Sequence, residues 1–97
     1  MTLESELKKV LKDGEITLGE KTVKKAVLSG RAKMVVVSST ASESLKEDMK
    51  RYAELSKIKY YAYPESSKEL GYACGKPFPV SAMAIIKEGG SKILQVK

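Results

Sequence analysis

No histidine occurs in the 97 residues, and cysteine occurs once, at Cys74. These two absences remove many catalytic and metal chemistries. Ser-His and Cys-His nucleophilic pairs and histidine-ligated metals cannot be assembled. Nor can an internal disulfide or a cysteine cluster for zinc. A reducing cytoplasm is the expected compartment. No apolar run reaches the ~18 residues that a membrane span needs, so no membrane partner is expected. The chain opens at once on a charged amphipathic pattern, which does not read as a secretory signal. Proline is scarce as well, and two of the three flank the single phenylalanine as Pro77-Phe78-Pro79. Proline fixes φ and lacks a backbone donor, so this loop is stiff and holds up an aromatic ring. The residues alone leave open whether Phe78 stacks on a ligand or plugs the end of the core.

What the sequence has in quantity is positive charge. Eighteen lysines and arginines against twelve acids give a net charge of +6. A small domain with that balance is drawn to polyanions, nucleic acid first among them. At this length one domain, residues 1–97, is expected, and 42% hydrophobic content suffices for an independent core.

The periodicities alternate along the chain. Leu3, Leu7, Val10 and Leu11 recur at helical spacing, with Thr2 placed to cap and Gly14 to close. Ile16-Thr17-Leu18 alternates as a short strand ended by Gly19. A second helix follows, with Val23, Ala26 and Val27 inward and Gly30 as its stop. Met34-Val35-Val36-Val37 is a continuous apolar run, which fits a central strand covered on both faces. A third helix runs from about Ser42 to Ser56 with Leu45, Met49, Tyr52 and Ala53 inward. Thr40-x-x-Glu43 and Ser44-x-x-Glu47 both read as capping boxes for it. Ile58 to Tyr63 is the next strand, its tyrosines expected to pack. Ser66-x-x-Glu69 caps a short fourth helix that contains Gly71, a position for close approach of a neighbour. Gly75 ends that helix. Val80 to Ile86 is a strong strand, Gly89-Gly90 turns the chain, and Ile93, Leu94 and Val96 form an apolar tail. Such alternation predicts an α/β fold with helices on both faces of a mixed sheet.

Two glycine motifs look like phosphate loops and are mis-spaced. Gly14 to Thr22 has one residue too many before Lys21-Thr22, and Gly71-x-x-x-Gly75-Lys76 has one too few and runs into Pro77. Most carboxylates fall on caps or exposed helix faces. Spacing forces no acid–base pair together, so neither an enzyme nor a cofactor nor a metal site is expected. Lys21, Lys24 and Lys25 lie in the first two turns of the second helix, whose N-terminus already carries partial positive charge. Either an anion such as phosphate docks there, or the lysines are simply solvated. Ligands of open α/β sheets gather beyond the carboxyl ends of strands. Three exits are candidates to meet there: Leu18-Gly19, Ser38-Ser39-Thr40, and the loop Gly75 to Ser81. Cations, hydroxyls and a rigid ring together suit irregular RNA better than a regular duplex.

The ordered set Ile16-Thr17-Leu18-Gly19, Lys21-Thr22-Val23-Lys24-Lys25, Gly30-x-Ala32-Lys33, Tyr52-Ala53-x-Leu55-Ser56, Glu69-Leu70-Gly71 and Cys74-Gly75-Lys76-Pro77-Phe78 resembles a known family. It is similar to the archaeal and eukaryotic large-subunit ribosomal protein L-thirty-e family, within the kink-turn RNA-binding superfamily. The likeness implies a three-layer α/β/α sandwich around a four-stranded mixed sheet. It also implies a non-catalytic role in the large ribosomal subunit, binding a kinked internal loop of ribosomal RNA. By position it implies RNA contact at Gly19, Lys21, Thr22 and Lys25, at Thr40, and at Phe78, Val80 and Ser81. Relatives often have Asn or Asp where this chain has Thr40. Members that bind guide-RNA kink-turns carry Asn-Glu where it has Lys21-Thr22, which favours the ribosomal branch. Ribosome association in the cytoplasm, neighbouring ribosomal proteins and a monomeric free state follow as expectations. An accessory kink-turn protein of another ribonucleoprotein, a protein-interaction module and a small-molecule-binding domain are the competing readings.

Overall fold

A computed structural model of the chain describes residues 3–87 and 89. The cap expected at Thr2, the second glycine of the Gly89-Gly90 turn, and Ile93, Leu94 and Val96 lie outside the described residues. The element order is α1 (Leu3–Asp13), β1 (Glu15–Leu18), α2 (Glu20–Leu28), β2 (Met34–Ser38), α3 (Glu43–Ser56), β3 (Lys59–Tyr63), α4 (Ser67–Ala73) and β4 (Ala82–Lys87). The four strands form one mixed sheet in the order β1-β4-β2-β3. β4 is antiparallel to both β1 and β2, and β2 is parallel to β3.

Side chains alternate across a strand, and here the alternation sorts the helices into two layers. Met34 and Val36 of β2 and Met83 and Ile85 of β4 point to one face, where Leu7 and Val10 of α1 and Leu70 of α4 cover them. Val35 and Val37 of β2 and Ala82 and Ala84 of β4 point to the other face. There they meet Val23, Ala26 and Val27 of α2 and Leu45, Met49 and Ala53 of α3. The result is a three-layer α/β/α sandwich. β4 presents Met83 and Ile85 on the α1–α4 side and Ala82, Ala84 and Ile86 on the α2–α3 side. All five residues of β2 are buried, as its unbroken apolar run requires.

Three local expectations shift. α3 is capped by neither Thr40 nor Ser44. Ser42 sits at the N-cap, and its hydroxyl accepts the Leu45 N–H at 3.1 Å. Thr40 and Ser44 match the capping-box spacing while Ser42, with Leu45 three residues on, does not, yet Thr40 is taken by a distant partner described below. The last strand begins at Ala82 rather than Val80, because the Val80 N–H is spent on the Ser67 carbonyl at 2.9 Å. Tyr52 is only half-buried, its ring faced by Lys24 and Arg51 at 5.5 and 5.4 Å, while Met49 is fully in the core. The Ser66 cap holds as expected, with its hydroxyl accepting the Glu69 N–H.

Cys74 closes α4 inside the α1–α4 layer, its Sγ 3.3 Å from the sulfur of Met83. Burial pushes the thiol up to about 11, and the Lys76 ammonium pulls it slightly back. The folded chain therefore keeps this proton at a pH where an unfolded thiol, near 9.0, has lost it. The stability so conferred is complete below the unfolded value and is lost as pH rises from about 9 to about 11. Native Cys74 is expected to resist iodoacetamide at neutral pH and to react once urea unfolds the chain. The urea midpoint is expected to fall through that alkaline window, with part of the fall absent in Cys74→Ala.

Candidate nucleic-acid interface

The strand register builds the site. Because β4 runs against β1 and β2, and β3 runs with β2, the carboxyl ends of β1, β2 and β3 share one rim with the start of β4. Leu18 is opposite Met83, Val37 is opposite Ala82, and Ser38 is beside Tyr63. The exit of β1, the exit of β2 and the entry to β4 are thereby neighbours, although they are 20 to 64 residues apart in sequence.

Gly19 leaves β1 and serves as the N-cap of α2 with φ 95° and ψ 139°, a conformation that side-chain-bearing residues avoid. No side chain caps this helix. Its first-turn donors face the rim beside the acidic Glu20, which offsets part of the local positive potential. Across from Gly19 lies the Phe78 loop. A hollow of about 250 Å³ separates them, with Leu18, Gly19 and Glu20 on one wall and Phe78, Pro79, Val80, Ser81 and Ala82 on the other. Phe78 is 50% exposed, so it does not plug the core. Val80 is 4% exposed and packs with Leu70, Cys74 and Met83, so most of its side chain faces inward.

The loop that carries Phe78 is fastened to α4 along its length. The Lys76 N–H donates to the Gly71 carbonyl and the Val80 N–H to the Ser67 carbonyl, both at 2.9 Å. Between these bonds the Phe78 carbonyl lies against Gly71 so closely that a Cβ at Gly71 would overlap its oxygen. Gly75, at φ 73°, makes the turn out of the helix.

The polar part of the rim centres on a residue that sequence reasoning passed over. The Ser67 hydroxyl lies 2.7 Å from that of Ser38, 2.9 Å from that of Thr40 and 3.3 Å from that of Ser81. The Ser67 N–H also donates to the Thr40 hydroxyl at 2.9 Å. One hydroxyl offers one proton and two lone pairs, so three hydroxyl neighbours use its full capacity. This hub joins the β2 exit, the start of α4 and the entry to β4. Lys46, also unanticipated, donates from Nζ to the Ser39 carbonyl at 2.7 Å and brings another cation to the same loop. The partners of Ser67 are 14 to 29 residues away, and no local spacing signals them.

Of the residues expected to act together, the hollow gathers Gly19, Phe78, Val80 and Ser81, and the Ser67 hub attaches Thr40 to Ser81. Lys21, Thr22 and Lys25 are exposed on α2 and lie outside that hollow. Lys21 and Lys25 flank an open surface on the helix's outer side with Lys24 and Leu28. Thr22 and Lys25 border a second groove toward β1. Among the described residues, neither Lys21 nor Lys25 forms an ion pair.

A rim of this composition on this fold has relatives. The sequence model of the ribosomal protein L7Ae/L30e/S12e/Gadd45 family matches residues 1–95. The chain belongs to this family. Similar family proteins include the large ribosomal subunit protein eL30 of Saccharolobus solfataricus, 45% identical over 96 residues that cover 99% of this chain and 89% of that one. The eL30 of Methanocaldococcus jannaschii is 38% identical over 96 residues, 99% of this chain and 87% of its own. Among solved structures, a protein of unknown function from Bacillus halodurans superposes with a TM-score of 0.82 at 25% identity, covering 95% of this chain and 91% of that one.

Within the L7Ae/L30e frame, the contact of Gly71 with the Phe78 loop is the most testable feature. Gly71→Ala is expected to cost about 1–3 kcal/mol of stability, because the new methyl group must displace the loop. The measurement is a urea titration beside a spectrum reporting the Phe78 environment. Unchanged stability with an unmoved ring would contradict the close approach.

Proposed function

We propose that this protein is a structural, non-catalytic constituent of the large ribosomal subunit, and that its rim binds a kinked internal loop of ribosomal RNA. The observation that carries the reading is the hollow in which a bare glycine backbone faces a propped, half-exposed ring, with unpaired lysines on the adjoining helix. The near full-length likeness to proteins named as large ribosomal subunit protein eL30 supports the same assignment.

Each part has a task suited to irregular RNA. Lys21 and Lys25 supply the salt-dependent attraction to phosphates. Gly19 lets the RNA backbone approach the donors of the first turn of α2 without a side chain in the way. Phe78 offers an apolar surface to an unstacked nucleotide, and Val80, buried beneath the same loop, holds that surface in place. Thr40 and Ser81 offer hydroxyls to base edges and to the 2′-hydroxyls that distinguish RNA, and Thr22, on the adjoining helix, offers one to the RNA backbone. On this reading the protein works on the ribosome in the cytoplasm, beside other ribosomal proteins, and is a monomer when free.

With three to five phosphates neutralised, affinity for an internal-loop RNA is expected to fall with salt at a log–log slope of roughly −2 to −4. Phe78→Ala is expected to lose about 1–3 kcal/mol of binding with little loss of fold, since half the ring is already in water. Filter binding across a salt series reads both. Binding that survives high salt and Lys21→Glu/Lys25→Glu would instead favour a protein-interaction module.

A further inference from the structure

Beyond the rim, the second groove bordered by Thr22 and Lys25 is lined on its far side by Thr17 of β1 and by Arg31, just past the end of α2. We propose that this groove holds the phosphodiester backbone of an RNA stem flanking the rim-bound loop, with Arg31 as its far anchor. The proposal rests on the RNA-binding reading of the rim and extends it down the side of the molecule.

The groove is part of the fold and not an accident of surface side chains. β1 is an edge strand, and α2 packs on the face of the sheet beside it. Thr17 stands in register with Ala84, whose side chain faces the α2 layer. Between this strand and the helix lies a concavity of about 200 Å³, with Ile16, Ala26 and Ile86 in its lining. Its lower end is set by the helix stop. Gly30, at φ 78°, turns the chain so that the Arg31 and Ala32 N–H groups both return to the Ala26 carbonyl, at 3.0 and 3.1 Å. That turn fixes the Arg31 backbone and leaves its side chain exposed against the groove.

The chemistry of the lining suits phosphate. Arg31 presents a planar fork that matches a phosphate group, Lys25 adds a second cation midway, and Thr17 and Thr22 add hydroxyl donors. Among the described residues, Arg31 and Lys25 form no ion pair, so neither is neutralised within the fold. The one acid in the lining, Glu15, stands opposite Lys87 in the strand register. Because Thr22 and Lys25 lie on the helix that starts at Gly19, the groove continues from the rim along α2. Nine helical residues extend this path by about 13 Å.

The test uses the full chain and an RNA in which an asymmetric internal loop lies between two stems, together with versions in which either stem is cut back to the pairs closing the loop. Arg31→Ala is expected to bind the intact RNA about tenfold more weakly and to flatten its salt slope by about 1. Its affinity is expected to equal that of the parent on one of the cut-back RNAs. Arg31→Lys is expected to keep the slope, and thermal melts of both variants to match the parent. Phe78→Ala reads the rim separately and is expected to weaken binding to every version. If Phe78→Ala loses affinity while Arg31→Ala matches the parent on the intact RNA, the groove is overturned and the rim reading stands. An Arg31→Ala loss equal on all RNAs also overturns the groove, because Arg31 would then be touching the loop itself. If neither variant loses affinity, both are overturned.

Discussion

β4 lies between β1 and β2 and runs against both, and the rest of the molecule follows from that pairing. Three parallel-running strands discharge their carboxyl ends at the edge where β4 begins. The N-terminus of α2, the hydroxyl loop after β2 and the proline-braced loop before β4 therefore have no choice but to be neighbours. The pairing is secured by burial on both faces: Met83 and Ile85 seal one layer and Ala82 and Ala84 the other. A one-residue slip of β4 would exchange those faces, forcing Met83 and Ile85 under α2 and α3 and leaving Ala82 and Ala84 under α1 and α4. Core packing, and not any polar contact, thus decides where the rim residues stand.

On that foundation the rim is made rigid by short-range devices. The loop carrying Phe78 is bonded to α4 at Lys76 and Val80 and pressed on Gly71 between them. Ser67 ties the β2 exit, α4 and the entry to β4 together through its hydroxyl and its backbone N–H. A ring and a set of donors held in place before the ligand arrives lose less freedom on binding, which is how a small surface reaches useful affinity. Among the described residues the lysines of α2 form no ion pair, which suits the salt-dependent attraction proposed for them.

Much of the fold could be read in advance because it is written in local periodicity. The double-sided run of β2, the inward face Val23-Ala26-Val27, the Ser66 cap and the close approach at Gly71 each need only a few neighbouring residues to be seen. The choice of Ser42 as the α3 cap was hidden because Thr40 and Ser44 carry the capping-box glutamate and Ser42 does not, and only a distant partner removes Thr40 from contention. Ser67 was hidden for the same reason: its partners come from other elements. Val80 reads as the start of the last strand and as an RNA contact, but an apolar residue where a loop meets a strand can face either way, and here its N–H bonds to Ser67 and its side chain turns inward. The groove at Arg31 depends on α2 packing beside β1, a fact of layer geometry that no linear motif carries.

Nuclear magnetic resonance titration of the isotope-labelled protein with an asymmetric internal-loop RNA tests the central claim most directly. The amides of Gly19, Thr40, Phe78 and Ser81 should shift together, at RNA concentrations where a fully paired duplex leaves them unmoved. Shifts confined to the α1–α4 face, or equal responses to the looped and paired RNAs, would contradict it.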